Sequence, residues 1–287
     1  MNVVVSNTIA DLRRRVREAR QSGASIAVVP TMGALHEGHG RLIERARAEC
    51  GFVVVTIFVN PTQFNEPADY ARYPRTLEAD LTFCEARGAD VVFAPSLEEM
   101  YPREQQAFIE TGKVAQFMEG RFRPGHFRGV ATVVAKLLNI VGPDKAYFGQ
   151  KDAQQVAVVR HMVEDLNFPV EIVEVPTVRE SDGLALSSRN ARLSAEERRV
   201  AVALYEALTA GGDLIAGGER RSIEVKRCAA EVFARCPGVR PEYFEVADPV
   251  RFTPVERIEC PVRILGAIWI GQTRLIDNVL VGTEAQD

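Results

Sequence analysis

The sequence predicts an α/β protein in which a doubly wound parallel sheet is followed by a second, smaller α+β domain. Three observations support this class. Short apolar runs rich in β-branched residues alternate with helical periodicities across residues 1–176. The alternation then stops, and residues 177–287 contain a polar connector, two predicted helices and three predicted strands. Polar residues also collect directly after the strands of the first part, where open parallel sheets bind ligands.

The composition is that of an ordinary globular protein, with 46% hydrophobic and 26% charged residues. The formal net charge of −4 provides no basic field for a nucleic acid, so we expect none as a partner. The five cysteines form no C-x-x-C pair, which suits reduced thiols in the cytoplasm. The first residues lack a signal-peptide pattern, and no apolar run approaches the ~20 residues of a membrane span.

The first part divides into alternating elements. The predicted strands lie at 26–29, 52–59, 91–94, 146–148 and 170–175, with an edge strand at 107–110. The first predicted helix is capped by residues 6–8 and runs to Arg20, and the second follows the histidines of residues 36–39. Further helices are predicted at 77–87, at 113–119, at 132–140, where the pattern is amphipathic, and from the strand at 146–148 to Asp165. Residues 60–75 and the basic segment 120–129 are predicted loops, and loops of that length are usually functional.

The second part begins with a polar connector at 178–190. Ser194 and Glu197 form a predicted capping box for a helix that ends at Gly211 and Gly212. A second helix is predicted at 222–236, a range that includes two of the cysteines. Strands are predicted at 243–247, 262–270 and 273–281.

The stretch V-V-P-T-M-G-A-L-H-E-G-H-G-R, residues 28–41, is the strongest candidate for chemistry. A strand, a glycine turn and a helix start bring His36 and His39 onto one face, and Gly38 leaves room for a ligand. Backbone N–H groups and the dipole at a helix start favour an anion. Two surface histidines are the alternative, but the chain has only four and two of them stand here. Because the G-x-G-x-x-G and P-loop patterns are absent, the stretch predicts phosphate binding by a different device.

A second polar set follows the strand at 146–148. Lys151 suits a phosphate, and Asp152 suits Mg²⁺, which favours a carboxylate together with phosphate oxygens. A solvated lysine and a helix-start acid are the alternatives. Gly149 and Gln155 belong to the same set, and Gln155 and Gln63 carry carboxamides suited to hydroxyl and carboxylate groups.

The connector carries a third set, S-S-R at residues 187–189. Two hydroxyls and a guanidinium suit phosphate oxygens, which arginine can bind with two parallel hydrogen bonds. A capped turn with a neighbouring acid is the alternative. No G-x-S-x-G motif or cysteine–histidine pair indicates a nucleophile, so the chemistry would be positioning and charge stabilisation at a phosphate.

Seven motifs, in order along nearly the whole chain, resemble those of the pantothenate synthetase (pantoate–β-alanine ligase) family. They are P-T-M-G-A-L-H-E-G-H, F-V-N-P-T-Q-F, Y-P-R, G-H-F-R-G-V, Y-F-G-Q-K-D-A-Q-Q, P-T-V-R-E-S-D-G-L-A-L-S-S-R-N and R-L-I-D-N-V. H-x-G-H alone also marks a larger superfamily of nucleotidyl transferases and class I aminoacyl-tRNA synthetases. The combination of N-P-x-Q-F, G-x-K-D-x-Q-Q and S-S-R-N is highly specific.

The resemblance implies a Rossmann-like domain at 1–176 that binds ATP and pantoate, and a small α+β domain at 177–287 that closes over the active site. It implies an AMP-forming ligase of pantothenate biosynthesis, in which pantoate and Mg-ATP give pantoyl adenylate and pyrophosphate. β-Alanine then attacks the adenylate to give pantothenate and AMP. Mg-ATP is the co-substrate, no tightly bound organic cofactor is expected, and the family is usually homodimeric.

By matching motif positions, the resemblance also implies residue roles. The catalytic residues are His36, His39, Lys151 and Arg189. ATP is bound by Met32, His36, His39, Gly149, Lys151, Asp152, Val178, Ser187, Ser188 and Arg189. Pantoate is bound by Met32, Gln63 and Gln155, β-alanine by Gln63, and Mg²⁺ through the phosphates by Asp152. The supporting shell contains Asn60, Tyr73, Glu119 and Arg123.

Gly40 departs from the larger residue expected after H-x-G-H and would loosen the helix start by up to ~1 kcal/mol. Two other functions remain open from the residues alone. A nucleotidyl transferase with a phosphate-bearing acceptor would draw on Arg121, Arg123 and Arg128, and consumption of β-alanine separates it from a ligase. A nucleotide-sensing module would bind ATP without releasing AMP.

Overall fold

The structure is a computed structural model that describes residues 3–259 and 261–282, so Cys260 lies outside the described residues. The strands are β1 (Val4–Ser6), β2 (Ile26–Thr31), β3 (Phe52–Ile57), β4 (Val91–Phe93), β5 (Lys145–Gly149), β6 (Glu171–Val175), β7 (Val239–Ala247), β8 (Val262–Ile270) and β9 (Thr273–Val281). The helices are α1 (Ile9–Gln21), α2 (Glu37–Glu49), α3 (Pro67–Ala71), α4 (Leu77–Ala86), α5 (Leu97–Met100), α6 (Glu119–Phe122), α7 (His126–Val141), α8 (Ala153–Asp165), α9 (Ala195–Val200), α10 (Ala203–Ala216) and α11 (Ser222–Ala234). Short 3-10 helices lie at Pro61–Gln63, Lys113–Ala115, Gln150–Asp152 and Ser188–Arg192.

The first six strands form one parallel sheet in the order β1-β4-β3-β2-β5-β6. Helices connect them, so the predicted doubly wound α/β class is confirmed. Strand β2 pairs with β3 on one side and with β5 on the other. The strand order therefore reverses between β2 and β5, and such a reversal leaves a crevice at the carboxyl ends of the two strands. The histidine turn follows β2, and Gly149 ends β5.

Helix α2 is tied to β5 at the end away from the histidines. Glu49 accepts hydrogen bonds from the Lys145 ammonium at 2.9 Å and the Tyr147 hydroxyl at 3.0 Å, and it also pairs with Arg45. The Lys145 hydrogen bond, followed by that of Arg45, lowers the pKa of Glu49 to about 2. These pairs fix the helix along the strand next to which the predicted crevice opens.

The last three strands form an antiparallel sheet in the order β7-β8-β9. Leu208 and Ile215 of α10 share a core with Val225 of α11 and with Ile264 and Ile268 of β8. The two helices therefore bury their apolar faces on one side of this sheet. The predicted smaller α+β domain is confirmed, and β8 and β9 have the predicted bounds.

Contacts between Cα atoms divide the chain into two compact units. The first contains residues 3–111, 123–150 and 158–176, and the second contains 112–122, 151–157 and the described residues from 177 onward. A division after residue 176 coincides with the predicted boundary, but two earlier segments group with the second unit. Glu119 pairs with Arg274 of β9, and the Lys151 carbonyl accepts from Asn278 of β9. Pairings across more than a hundred residues leave no local mark in the sequence.

Several predicted elements are wrong, among them the loop predicted at 60–75, which contains a 3-10 helix and α3. Residues 107–110 are not a strand, because the Ile109 N–H is used by the Thr132 hydroxyl rather than by a sheet. The predicted loop at 120–129 contains α6 and the first turn of α7, whose His126 and Phe127 are buried. Helix α7 is therefore longer than the predicted 132–140, and it is buried around nearly its whole circumference.

The glycine pair at 211–212 does not end a helix, since α10 runs through it to Ala216. A Cβ built on Gly211 would lie 3.0 Å from the Val225 side chain, so glycine allows α11 to pack closely. The capping box of Ser194 and Glu197 is confirmed. Cys236 lies two residues beyond α11 rather than within it.

Across residues 3–259 and 261–282, no helix combines the length and the apolar character needed to cross a membrane.

Candidate active site

The turn after β2 is held by a carboxylate from another helix. Gly33 and Ala34 both have positive φ, at 81° and 50°, which reverses the chain before α2. Asp80 of α4 is buried, and it accepts from the Ala34 N–H at 3.0 Å and the Leu35 N–H at 2.8 Å. Sequence reasoning missed Asp80, which carries no motif and acts from more than 40 residues away.

His36 and His39 occupy the start of α2, as predicted. His36 is the N-cap, and its Nδ1 accepts from the Gly38 N–H at 3.2 Å. The Nδ1 of His39 accepts from the His36 N–H at 3.3 Å, which completes a reciprocal capping box. Because both Nδ1 atoms act as acceptors, the neutral rings carry their proton on Nε2. The rings lie 4.1 Å apart between centroids, so two donors stand side by side at a helix N-terminus.

Gly40 has a packing role that the sequence did not indicate. It is buried, and a Cβ built on it would lie 3.0 Å from Cδ of Arg87 and 3.2 Å from the Phe83 ring. The Arg87 guanidinium stacks 3.5 Å above that ring and donates to Glu37 at 2.6 Å. The missing side chain therefore makes room for an arginine that pairs with the first turn of the histidine helix.

Gln63 lies in a buried polar cluster that begins at the end of β3. Its Oε1 accepts from Asn60 Nδ2 at 3.1 Å, and its Nε2 donates to the Met32 sulfur at 3.2 Å. Asn60 Oδ1 in turn accepts from the Tyr101 hydroxyl at 2.8 Å. The structure thus brings together Met32 and Gln63, both predicted to bind pantoate, with Asn60 of the predicted supporting shell, and it adds Tyr101, which sequence reasoning missed.

The backbone of Gln63 is held from the other side by α7 and the residues before it. The Gln63 carbonyl accepts from His126 Nδ1 at 2.8 Å and from Arg123 at 3.3 Å. A carbonyl oxygen can only accept and a guanidinium can only donate, so the tautomer of His126 is fixed. Its Nδ1 donates to the Gln63 carbonyl, and its Nε2 accepts from Arg123 at 3.0 Å. Gly129 lies against the same segment, where a built Cβ would be 2.7 Å from the Thr62 carbonyl carbon.

Two other predicted residues belong to the first unit. Tyr73 is buried and packs edge-on against Phe64 at 5.7 Å between centroids. Gly149 pairs with Val175 at the end of β5, and a Cβ built on it would meet nothing within 4 Å. Gly149 therefore leaves open space at the carboxyl edge of the sheet.

Lys151 and Asp152 lie in the 3-10 helix that follows β5. Lys151 is half-buried and Asp152 is exposed. The Lys151 carbonyl accepts from Asn278 Nδ2 at 3.0 Å, and Asn278 Oδ1 accepts from Arg263 at 2.6 Å. Sequence reasoning did not assign Asn278, although it lies in the R-L-I-D-N-V motif.

The neighbouring Asp277 is buried and bound by Arg179. The guanidinium donates to both carboxylate oxygens, at 2.5 and 3.0 Å, and stacks 4.4 Å from the Tyr205 ring centroid. Burial raises the pKa of Asp277, and the hydrogen bonds and charge of Arg179 offset part of this shift. The pair joins the start of the connector to β9.

Glu119 lies in a buried network of the second unit. Arg274 donates to both of its carboxylate oxygens, at 2.8 and 2.7 Å, and the Tyr243 hydroxyl donates at 2.8 Å. Burial, together with the Glu119 charge, raises the pKa of Tyr243. The Glu119 N–H donates to Gln154 at 3.0 Å. Gln154 is thus the buried structural carboxamide, whereas its neighbour Gln155, the predicted ligand, is partly exposed.

The connector forms a folded turn. The Leu186 N–H donates to the Val178 carbonyl at 3.0 Å, and the Ser187 hydroxyl accepts from the Arg189 N–H at 3.3 Å. Ser187 is the N-cap of a 3-10 helix in which Ser188 and Arg189 are partly exposed. The Ser187 hydroxyl oxygen thus caps the turn, and a hydroxyl that accepts one hydrogen bond can still donate another to a ligand.

The predicted residues divide between the two units. The first unit contains Met32, His36, His39, Asn60, Gln63, Tyr73, Arg123 and Gly149. The second contains Glu119, Lys151, Asp152, Gln155, Val178, Ser187, Ser188 and Arg189.

The sequence model of the pantoate-beta-alanine ligase family matches residues 4–280. The chain belongs to this family. Within the family, the pantothenate synthetase of Moorella thermoacetica is 51% identical over 274 residues, which are 96% of this chain and 97% of that protein. The pantothenate synthetase of Aquifex aeolicus is 51% identical over 271 residues, covering 94% and 96% of the two chains.

Crystal structures of family members have the same fold. That of pantothenate synthetase from Thermus thermophilus superposes with a TM-score of 0.93 at 46% identity, covering 98% of this chain and 100% of that one. That of pantoate-beta-alanine ligase from Francisella tularensis superposes with a TM-score of 0.79 at 36% identity, covering 97% of each chain. The Francisella protein was crystallised with an ATP ligand and β-alanine.

Proposed function

We propose that this chain condenses pantoate with β-alanine at the expense of ATP, giving pantothenate, AMP and pyrophosphate. The match to the pantoate-beta-alanine ligase family over residues 4–280 carries the proposal. In the first step a pantoate carboxylate oxygen attacks the α-phosphorus of ATP, and pyrophosphate leaves. In the second step the β-alanine amine attacks the acyl carbon, loses a proton and displaces AMP.

His36 and His39 stabilise the charge that develops on the phosphates during adenylation. Their Nδ1 atoms accept backbone N–H groups, so Nε2 of each ring carries the proton and is the nitrogen that would donate to an anion. Both rings stand at the positive end of the α2 dipole. Hydrogen bonds from donors already fixed in place become stronger as negative charge develops on the phosphate. They stabilise the transition state effectively because the donors need no reorganisation during the reaction.

Gln63 binds pantoate together with Met32 and Gln155, and it also contacts β-alanine. Its Oε1 is held by Asn60, while its Nε2 donates to the Met32 thioether. A thioether is a weak acceptor, so a substrate carboxylate or hydroxyl replaces it at little cost. Gln63 is buried, and an oxygen that accepts from its Nε2 would be shielded from water.

The ATP phosphates are bound by Lys151, Ser187, Ser188 and Arg189, while Gly149, Val178 and Met32 contact the nucleotide. The open space at Gly149 suits close approach of a ligand to the backbone. The partial exposure of Lys151, Ser188 and Arg189 is consistent with ligand contact.

Magnesium enters with the nucleotide. Within the described part of the chain, no cluster of three or more His, Cys, Asp or Glu side chains is arranged to hold a metal ion. Asp152 is exposed, and a single carboxylate together with phosphate oxygens and waters is a ligand set that Mg²⁺ accepts. The ion supplies charge neutralisation on the phosphates when bound.

The protein acts as a cytoplasmic homodimer, as the family resemblance implies. Cys50 and Cys84 are buried free thiols, which fits a reducing compartment. Sedimentation velocity tests the dimer directly.

The second unit closes on the first when ATP binds. His36 and His39 belong to one unit and Lys151 and Arg189 to the other, so one ATP molecule bound by all four engages both. Closure would exclude water from the adenylate, whose hydrolysis would waste ATP.

The deciding experiment measures AMP release with pantoate and β-alanine each omitted in turn. The proposal expects sustained AMP release only with both acids, and pantothenate formed in equal amount. Release that does not require β-alanine would favour a nucleotidyl transferase, and ATP binding without release would favour a nucleotide sensor. ATP–pyrophosphate exchange that requires pantoate alone would confirm the adenylate step.

A further inference from the structure

Asn278 of β9 has all of its polar groups engaged, and one of them holds Lys151. Its Nδ2 donates to the Lys151 carbonyl at 3.0 Å, and its Oδ1 accepts from Arg263 at 2.6 Å. Its own N–H donates to Asp277 at 2.8 Å, and its carbonyl accepts from Arg179 at 3.3 Å. Asn278, Arg263 and Asp277 are each about 5% exposed, so water does not compete for these bonds.

The two ends of the carboxamide cannot be exchanged. A guanidinium only donates, so it must face Oδ1, and a backbone carbonyl only accepts, so it must face Nδ2. Aspartate would satisfy Arg263 but would turn an oxygen toward the Lys151 carbonyl. Alanine would remove both of these hydrogen bonds, and losing one is costly where the remaining partner is buried, as Arg263 is. Asparagine therefore matches this position in shape and in donor–acceptor order.

The hydrogen bond from Asn278 to the Lys151 carbonyl holds a short segment of the chain. Lys151 lies in a 3-10 helix of three residues, Gln150–Asp152, between β5 and α8. A single turn of this kind has few hydrogen bonds of its own. A fixed side chain that binds the Lys151 carbonyl therefore determines the backbone position from which the lysine side chain extends.

We propose that Asn278 is a positioning residue for the reaction, which aims Lys151 at the ATP phosphates by holding its backbone carbonyl. This inference rests on the proposed role of Lys151 as a phosphate ligand. Asp277 supports the arrangement, because it is bound by Arg179 and holds the Asn278 N–H.

The test compares Asn278→Asp with the wild type in steady-state and single-turnover assays of the full-length protein. We expect adenylate formation to fall about ten- to hundredfold, the loss typical of a catalytic group misplaced by about 1 Å. The KM for ATP should rise, and the KM for pantoate should stay near the wild-type value. A residue that only supported the fold would affect both substrates alike.

A double-mutant cycle shows whether Asn278 acts through Lys151. In a Lys151→Ala background, Asn278→Asp should cause little further loss. Asn278→Ala separates the lost donor from the added charge, because both variants lack the donor and only one gains a charge. Thermal unfolding identifies any variant that fails to fold, in which case the remaining variant of the two decides.

The outcomes separate two kinds of failure. If Lys151→Ala leaves ATP kinetics unchanged, the proposed role of Lys151 is wrong and this inference falls with it. If Lys151→Ala is impaired but folded Asn278→Asp retains wild-type adenylation, only the inference is overturned. Losses that multiply fully in the double mutant would likewise overturn it.

Discussion

Replacing Gly129 with alanine should weaken pantoate binding, although the helix that contains Gly129 carries none of the proposed pantoate ligands. Gly129 lies in α7, against the backbone of the segment that carries Gln63. A Cβ built there would lie 2.7 Å from the Thr62 carbonyl carbon and 2.9 Å from Gln63 Cα. Carbon atoms in ordinary contact are about 3.5–4.0 Å apart, so the segment must move by roughly 1 Å.

The expected loss follows from that displacement. Gln63 is fixed by Asn60, Arg123 and His126, so moving its backbone disturbs every one of these bonds. A misplacement of about 1 Å can reduce the rate by about 10²-fold. We expect kcat/KM for pantoate to fall toward the value of a Gln63→Ala variant, with the KM for ATP little changed. Overpacking should also lower stability by about 1–3 kcal/mol, partly offset by the better helix propensity of alanine.

Gly212→Ala is the matched control. Gly212 also lies inside a helix, but a Cβ built on it would be 3.6 Å from Val281, which is an ordinary contact. This substitution should stabilise the protein by up to ~1 kcal/mol and leave catalysis unchanged. Steady-state pantothenate formation and thermal unfolding of the three variants test the reasoning. A Gly129→Ala enzyme with wild-type kcat/KM for pantoate would refute it.

Three further predictions concern charge. His36→Ala and His39→Ala should each slow adenylate formation about 10²–10³-fold while pantoate binding changes little, and near-normal single-turnover adenylation in either variant would contradict the assignment. Arg189→Ala should weaken ATP binding and reduce closure measured by an interdomain distance probe, and Arg189→Lys should restore little because it lacks the planar fork; an unchanged wild-type distance on adding an ATP analogue would exclude closure. The pKa of Glu49 is lowered from its ordinary value of 4.5 to about 2, so its ion pairs stabilise the folded protein above pH 4.5 and lose this effect as the pH falls toward 2. The difference in melting temperature between the wild type and Glu49→Gln should therefore shrink across that range. A difference that stays constant would show that the ion pairs contribute nothing.

Local signals predicted most of the fold. Strand and helix periodicity located α2, β8, β9 and the sheet-forming apolar runs, and the capping residues located α1 and α9. The failures lie where tertiary packing overrides local preference. Gly211 lies inside a helix, where its missing side chain gives the neighbouring helix space, and His126, whose ring is bonded to Gln63, starts a helix.

The candidate site was predictable only where ligand groups stand in motifs. His36 and His39 could be placed at a helix start from sequence alone, because the strand, the turn and the helix are consecutive. The roles of Asp80 and Asn278 could not be predicted, although Asn278 lies in a motif, since each side chain binds backbone groups of a segment more than 40 residues away. Residues that hold the backbone of a site are visible only once the fold is known.

The interrupted second unit limits how the chain can be recombined. A hybrid joined at residue 176 would keep 112–122 and 151–157 from one parent and receive β7, β8 and β9 from the other. Glu119 would then depend on a foreign residue in place of Arg274, and a buried carboxylate without its cation is strongly destabilising. The C-terminal part can therefore be exchanged only between relatives that also match in residues 112–122 and 151–157. We expect these two segments to evolve together with β9.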